Sequence, residues 1–160
     1  MGARLDELEA VYRQHLPQLR RVATAIVGDE ERGCDAVQEA FGRAIRRRKS
    51  FRRTGPLEAW IWRLVVNAAR DQARPVARAM DELESGREAA TNGTSPHADE
   101  LRARVAALPE RQRLVLFLRY YADLDYASIA TALEIAPGTV AATLHAAHAS
   151  LRRTLQEVPR

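Results

Sequence analysis

The chain has 160 residues, 46% hydrophobic and 29% charged, with a formal net charge of +4 and few aromatic residues. That length suits one ordinary domain or two small helical ones, and the composition is that of a globular chain, not a disordered one. A lone cysteine, Cys34, excludes an internal disulfide and a Cys-rich zinc site, and no run of about 18 apolar residues is present to span a membrane.

The N-terminus carries Asp6, Glu7 and Glu9 and no apolar signal core, so a cytoplasmic protein without membrane insertion is expected. Charge is unevenly spread. Up to Arg78, sixteen Lys and Arg stand against ten Asp and Glu. Residues 79–98 set Arg87 against four carboxylates, and the remainder holds eight basic and seven acidic residues. Contact with a polyanion is therefore expected first in the N-terminal half.

Apolar residues recur at helical spacing in nearly every segment and no strand alternation competes, which predicts an all-α fold. Leu5, Leu8, Tyr12, Leu19, Val22 and Ile26 make a first stripe, with Pro17 as a kink or break, and Gly28-Asp29 turns the chain. A second helix is predicted from about Glu30 to Arg48, with Val37, Phe41, Ala44 and Ile45 facing inward. Thr54-Gly55-Pro56 stops the chain again, and Pro56 suits the first position of a third helix. That helix carries Leu57, Trp60, Ile61, Leu64, Val65 and Ala68 and runs to about Ala73, before Pro75.

Residues 75–98 are acidic, weakly periodic and contain Gly, Ser, Thr and Asn, the composition of a linker with a helical start. Four further helices are predicted at 98–107, 109–121, 126–133 and 137–156. Asp125 can cap the third of these and Pro137 suits the first turn of the fourth. Val140, Leu144, Ala147, Leu151 and Leu155 form its core-facing stripe. The chain thus divides into an N-terminal domain (1–75), a linker (76–97) and a C-terminal domain (98–160).

Three constellations carry chemistry in the first domain. Arg46, Arg47, Arg48, Lys49, Arg52 and Arg53 place six cations in eight positions, too many to pair locally, with Phe51 among them for packing or base stacking. The cluster suits phosphate neutralisation, but by itself it does not separate DNA from RNA or an acidic protein. On the third helix Arg63, Asn67, Arg70 and Arg74 share a face, and such side chains hydrogen-bond bases and phosphates. Trp62 falls off the apolar stripe and is expected to be exposed near the basic loop, and Asp71 can hold an arginine. Asp35, Gln38 and Glu39 lie on the outer side of the second helix, as a soluble surface or a docking site for a basic partner.

From Leu108 to Leu155 the pattern is that of a helix-turn-helix. DAVQEAF (35–41) matches the D-L-V-Q-E-x-F signature of the bacterial extracytoplasmic-function sigma factors. AWIWRLVVNAARDQAR (59–74) matches their A-W-L-x-R-I-x-x-N-x-x-x-D-x-x-R helix, and LPERQRLVLFLRYYADLDYASIATALEIAPGTV (108–140) matches their C-terminal domain. The chain resembles that family over nearly its whole length.

The resemblance implies a promoter-specificity subunit of RNA polymerase, without catalysis or cofactor. Its first domain would bind the polymerase clamp helices through Asp35, Gln38 and Glu39 and open the −10 element. Arg47, Arg48, Lys49, Phe51, Arg52, Arg53, Trp62, Arg63, Asn67, Arg70 and Arg74 would meet that strand, an extruded base being held in a loop pocket. The acidic linker would thread the RNA exit path. The second domain would grip the polymerase flap and read the −35 element through Thr139, Ala141, Ala142, Thr143, His145 and Arg152. Promoter DNA and core polymerase are the implied partners, with an anti-sigma protein as a further one.

One stretch departs from the family. Its members usually read G-T-V-K-S-R-L-x-R-A-R-x-R-L in the recognition helix, where this chain reads GTVAATLHAAHASLRR. Only Arg152 and Arg153 keep charge, and each lost phosphate contact lowers the salt slope of duplex binding by roughly 0.9. Weak or apolar-biased −35 reading is expected, with the small side chains against thymine methyls. His145 and His148 lack a third ligand nearby, so they are expected to be surface residues and not a metal site. The alternative is an interaction protein whose helix-turn-helix no longer reads DNA. An enzyme has little support, since no Gly-rich phosphate loop, nucleophile motif or apolar carboxylate pair is present.

Overall fold

The computed structural model describes residues 1–83 and 95–157, and the side chains of 74–83 lie outside that description. Seven α-helices occur among the described residues, with no strand: α1 (Leu5–Val27), α2 (Glu30–Arg47), α3 (Leu57–Leu83), α4 (Pro96–Ala106), α5 (Glu110–Tyr120), α6 (Tyr126–Leu133) and α7 (Pro137–Gln156). The all-α reading holds.

Local chemistry explains most of the boundaries. The Glu7 carboxylate accepts the Arg4 backbone N–H at 2.7 Å, capping α1, and Gly28 ends that helix at φ 84°, a conformation glycine adopts without a Cβ penalty. Asp29 starts α2 by accepting the Arg32 N–H at 2.8 Å, with Glu30 and Glu31 at the positive end and Arg46 and Arg47 at the negative end of the helix dipole. Asp125 caps α6 through the Ser128 N–H at 2.7 Å, and Pro137 opens α7, as expected.

Two prolines do not break their helices. Pro17 lies inside an unbroken α1. Its cost of about 3 kcal/mol is offset by burial on either side, where Leu8, Leu19, Val22 and Ala23 are all in the core. Pro75 lies within α3, which continues to Leu83 instead of ending near Ala73. The helical start of the linker is therefore real, whereas 84–94, half of the expected 76–97 linker, lies outside the described residues.

Helices α1, α2 and α3 pack on one another, and α5, α6 and α7 form a second bundle with α4 against α7. Gly33 lets α2 approach α1: a Cβ there would sit 2.5 Å from Thr24 Oγ1 and 2.8 Å from Thr24 N. Helices α6 and α7 meet at 98°, the crossing of a helix-turn-helix. The bundles join mainly where α6 lies on α3, and one continuous core runs from Ala3 to Ala147. Three residues placed inward by spacing, Leu5, Ile45 and Leu155, are exposed because each sits at the edge of its stripe.

Candidate nucleic-acid interface

The basic cluster follows α2 into a 3-10 turn, Arg48–Ser50, and a short loop. Within it the structure separates exposed cations from structural ones. Arg46, Arg47, Lys49 and Arg52 are exposed, and among the described residues no carboxylate pairs with Arg47, Lys49 or Arg52. Arg48 donates to the Ile45 carbonyl at 3.0 Å, and its own carbonyl accepts the Ala3 N–H at 2.8 Å. Gly2 lies so close to that turn that a Cβ would stand 2.3 Å from the Arg48 oxygen.

Arg53 is the fastener of this loop. It holds φ 56°, unusual for a residue with a Cβ, and its guanidinium donates to both Glu7 carboxylate oxygens at 2.8 and 3.1 Å and to the Gly2 carbonyl at 3.1 Å. Hydrogen bonding from Arg53, then from the Arg4 N–H, holds the Glu7 carboxyl below its ordinary value, and the same pair raises Arg53. The N-terminal segment thus straps the loop from behind. No sequence pattern announced Glu7 as its partner, because 46 residues separate the two.

For Phe51 the packing alternative holds, and for Trp62 the expectation is overturned. Phe51 is buried and packs on Trp60 at 5.3 Å between ring centroids, so it shapes the loop and is not free to stack on a base. Trp62, expected to be exposed, is 1% accessible. The reason is that α3 has two buried faces. Ile61, Leu64, Val65 and Ala68 form the predicted stripe, while Ala59, Trp62, Val66 and Ala69 form a second.

Arg63, Asn67 and Arg70 do share a half-buried face of α3, and the Arg74 side chain lies outside the described residues. Arg63 Nη1 meets Glu134 at 3.3 Å and Arg70 Nε meets Glu110 at 2.5 Å, both partners belonging to the second bundle. Spacing on one helix could not reveal either. Asp71 does hold an arginine: Arg43 of α2 lies 3.5 Å away and also reaches Glu39 at 2.8 Å. Asp35, Gln38 and Glu39 are exposed on the outer side of α2.

On α7 the outward face shows Ala141, Ala142, His145 and Arg152, with Thr139 and Thr143 half-buried. His148 is not a plain surface residue. Its Nε2 lies 2.8 Å from the Tyr120 hydroxyl and the two rings stack at 5.8 Å. That pair borders an open groove of about 410 Å³ between α4, α5 and α7, lined by Leu101, Phe117, Tyr121 and Leu151.

Comparison with known proteins agrees with this arrangement. The Sigma-70 region 2 family matches residues 11–79 and the Sigma-70 region 4 family matches 98–151. The chain is 34% identical to the ECF RNA polymerase sigma factor SigL of Mycobacterium tuberculosis, covering 94% of this chain and 90% of that one. It is 29% identical to the ECF RNA polymerase sigma-E factor of Escherichia coli over 79% and 75% of the two chains. Among solved structures the fold is shared with the sigma factor RpoE of Bartonella quintana in complex with the anti-sigma factor NepR (TM-score 0.71, 20% identity, 97% and 100% coverage). It is shared also with CnrH in complex with the cytosolic domain of CnrY (TM-score 0.74, 19% identity, 98% and 92% coverage). With both region families matched in order and a relative aligned over nearly the full length, the chain belongs to the ECF RNA polymerase sigma factors.

Proposed function

We propose that this sigma factor captures the −10 strand chiefly with the exposed cations Arg47, Lys49 and Arg52, on a loop that Arg53, Phe51 and Arg48 hold in shape. The observation that carries this reading is the division of the cluster: cations with no carboxylate partner among the described residues stand on a backbone fixed by the Glu7–Arg53 clamp. A loop rigid before binding loses less entropy on ordering around a strand. Arg63, Asn67, Arg70 and Arg74 extend the surface along α3.

Residues 1–75 and 98–160 act as separate promoter-facing domains joined by the acidic 76–97 segment. Asp35, Gln38 and Glu39 dock on the polymerase clamp, and the apolar groove beside Tyr120 and His148 receives the flap. Reading of the −35 element by Thr139, Ala141, Ala142, Thr143, His145 and Arg152 is weak, because apart from Arg152 this face offers small side chains and one imidazole where phosphate contact needs cations. The protein works in the cytoplasm without catalysis of its own, and an anti-sigma protein binds it, as NepR binds the RpoE of Bartonella quintana.

The test measures open-complex formation with core polymerase at a promoter found by sequencing the transcripts that this protein directs. Alanine at Arg47, Lys49 and Arg52 is compared with alanine at His145 and Arg152. The first set is expected to cost at least tenfold and the second much less. A larger loss from the second set refutes the assignment.

A further inference from the structure

The segment between α2 and α3 is fastened at both ends to α1 and the residues leading into it. At its start the Ala3 N–H donates to the Arg48 carbonyl at 2.8 Å, and the Arg53 guanidinium spans both Glu7 carboxylate oxygens and the Gly2 carbonyl. At its far end Glu58, in the first turn of α3, pairs with Nε2 of the half-buried His15 of α1. Between Arg53 and Glu58 the chain makes a short arch of Thr54, Gly55 and Pro56, all exposed. A Cβ added at Gly55 would meet nothing within 4 Å, so open space stands beside the arch. Arg53 enters the arch at φ 56°, a conformation that persists in a residue with a Cβ only where surrounding contacts over-determine it. Glu7 and Gly2 supply those contacts.

We propose that Glu7 and His15 are positioning residues for base selectivity at the −10 element: from α1 they fix the two ends of the arch against which an extruded base is read. This rests on the reading of the basic loop as the −10 contact and adds the source of its selectivity, whereas Arg47, Lys49 and Arg52 supply affinity through phosphates. Phosphate neutralisation tolerates a mobile cation, because Coulomb attraction varies slowly with distance. Reading a base edge does not. Hydrogen bonds weaken steeply with angle, so the groups that make them must be held to within about 0.5 Å. Loosening either end of the arch therefore costs discrimination before it costs affinity. Glu7 acts through Arg53 and His15 through Glu58, and neither needs to touch the strand.

The test measures open-complex formation by the full chain with core polymerase, at a promoter taken from its own transcripts and at single-base variants of the most stringent −10 position. Selectivity is the ratio of best to worst base, and the salt slope is recorded beside it. Because the ratio is taken within one protein, a variant that folds less fully keeps it. Glu7→Gln leaves one acceptor oxygen where Arg53 and the Arg4 N–H use two. His15→Leu removes the partner of Glu58, and His15→Gln returns a donor near the position of Nε2. Asp6→Asn removes the same charge as Glu7→Gln, from the exposed Arg4–Asp6 pair. Glu7→Gln and His15→Leu are each expected to lower selectivity about three- to tenfold, with the salt slope changed by less than about 0.7, one phosphate contact on a single strand. His15→Gln and Asp6→Asn are expected to stay within about twofold of the parent.

Full selectivity in either Glu7→Gln or His15→Leu overturns the proposal. So does an equal loss in Asp6→Asn or His15→Gln, or a salt slope that drops by a whole contact. Gly55→Ala separates such a failure from failure of the loop reading, because its added methyl meets no protein atom within 4 Å and alters selectivity only where a base approaches the arch. If Gly55→Ala shifts selectivity while Glu7→Gln and His15→Leu do not, the loop reads the base without help from α1. If none of the three shifts it, the arch does not face a base and the positioning falls with that reading.

Discussion

Glu7 caps α1 through the Arg4 N–H and clamps the basic loop through Arg53 with a single carboxylate. Because the folded carboxyl is held below its ordinary 4.5, the clamp stabilises the fold fully above that pH and is lost as pH falls through the lower folded value. NMR titration is expected to give a Glu7 midpoint below 4.5 in the parent and a higher one in Arg53→Gln, where only the Arg4 N–H still lowers it. An unshifted parent rules the clamp out. Asp125 is a simpler case: its carboxyl is also lowered, first by the Ser128 backbone N–H. Asp125→Ala is expected to cost about 1 kcal/mol in denaturant unfolding. Asp125 was legible in the sequence because a cap acts three residues away, whereas the partner of Arg53 is 46 residues distant.

At the scale of elements, helix identity followed from apolar spacing, and α6 and α7 begin and end where the residues predicted. Interruptions were read less well, since proline reports the local cost of continuing a helix and not the burial that offsets it. Gly33 shows the reverse dependence. Nothing in EERGCDAV distinguishes it from a helix-weakening residue, yet its missing Cβ sets the α1–α2 distance. Gly33→Ala is therefore expected to destabilise by about 1–3 kcal/mol through overpacking, against the gain of up to 1 kcal/mol that helix propensity alone predicts. Thermal or denaturant unfolding gives the sign directly.

For the whole molecule, α3 is the shared element: it packs on α1 and α2 of the first bundle and on α6 of the second, and its Arg63 and Arg70 meet carboxylates of that second bundle. Trp62→Ala is expected to lower unfolding stability by about 3–5 kcal/mol, as for a large aromatic side chain removed from a core. A surface tryptophan would change stability by under about 0.5 kcal/mol. Alanine at Arg47, Lys49 and Arg52 together is expected to flatten the dependence of log affinity on log salt for single strands by about 2, roughly 0.7 per phosphate contact. An unchanged slope means those cations meet no phosphate.

By itself the sequence determined the helical class, the order of the helices, the exposed Asp35–Gln38–Glu39 patch and the bare outer face of α7. Each depends on residues a few positions apart on one helix, where spacing is geometry. Only the tertiary structure decided that Trp62 and Phe51 are buried, that Arg53 is a fastener, and that Arg63 and Arg70 face carboxylates. Those outcomes depend on a second surface that chain distance conceals: a helical stripe shows that a face is apolar, but not how many faces its neighbours will cover.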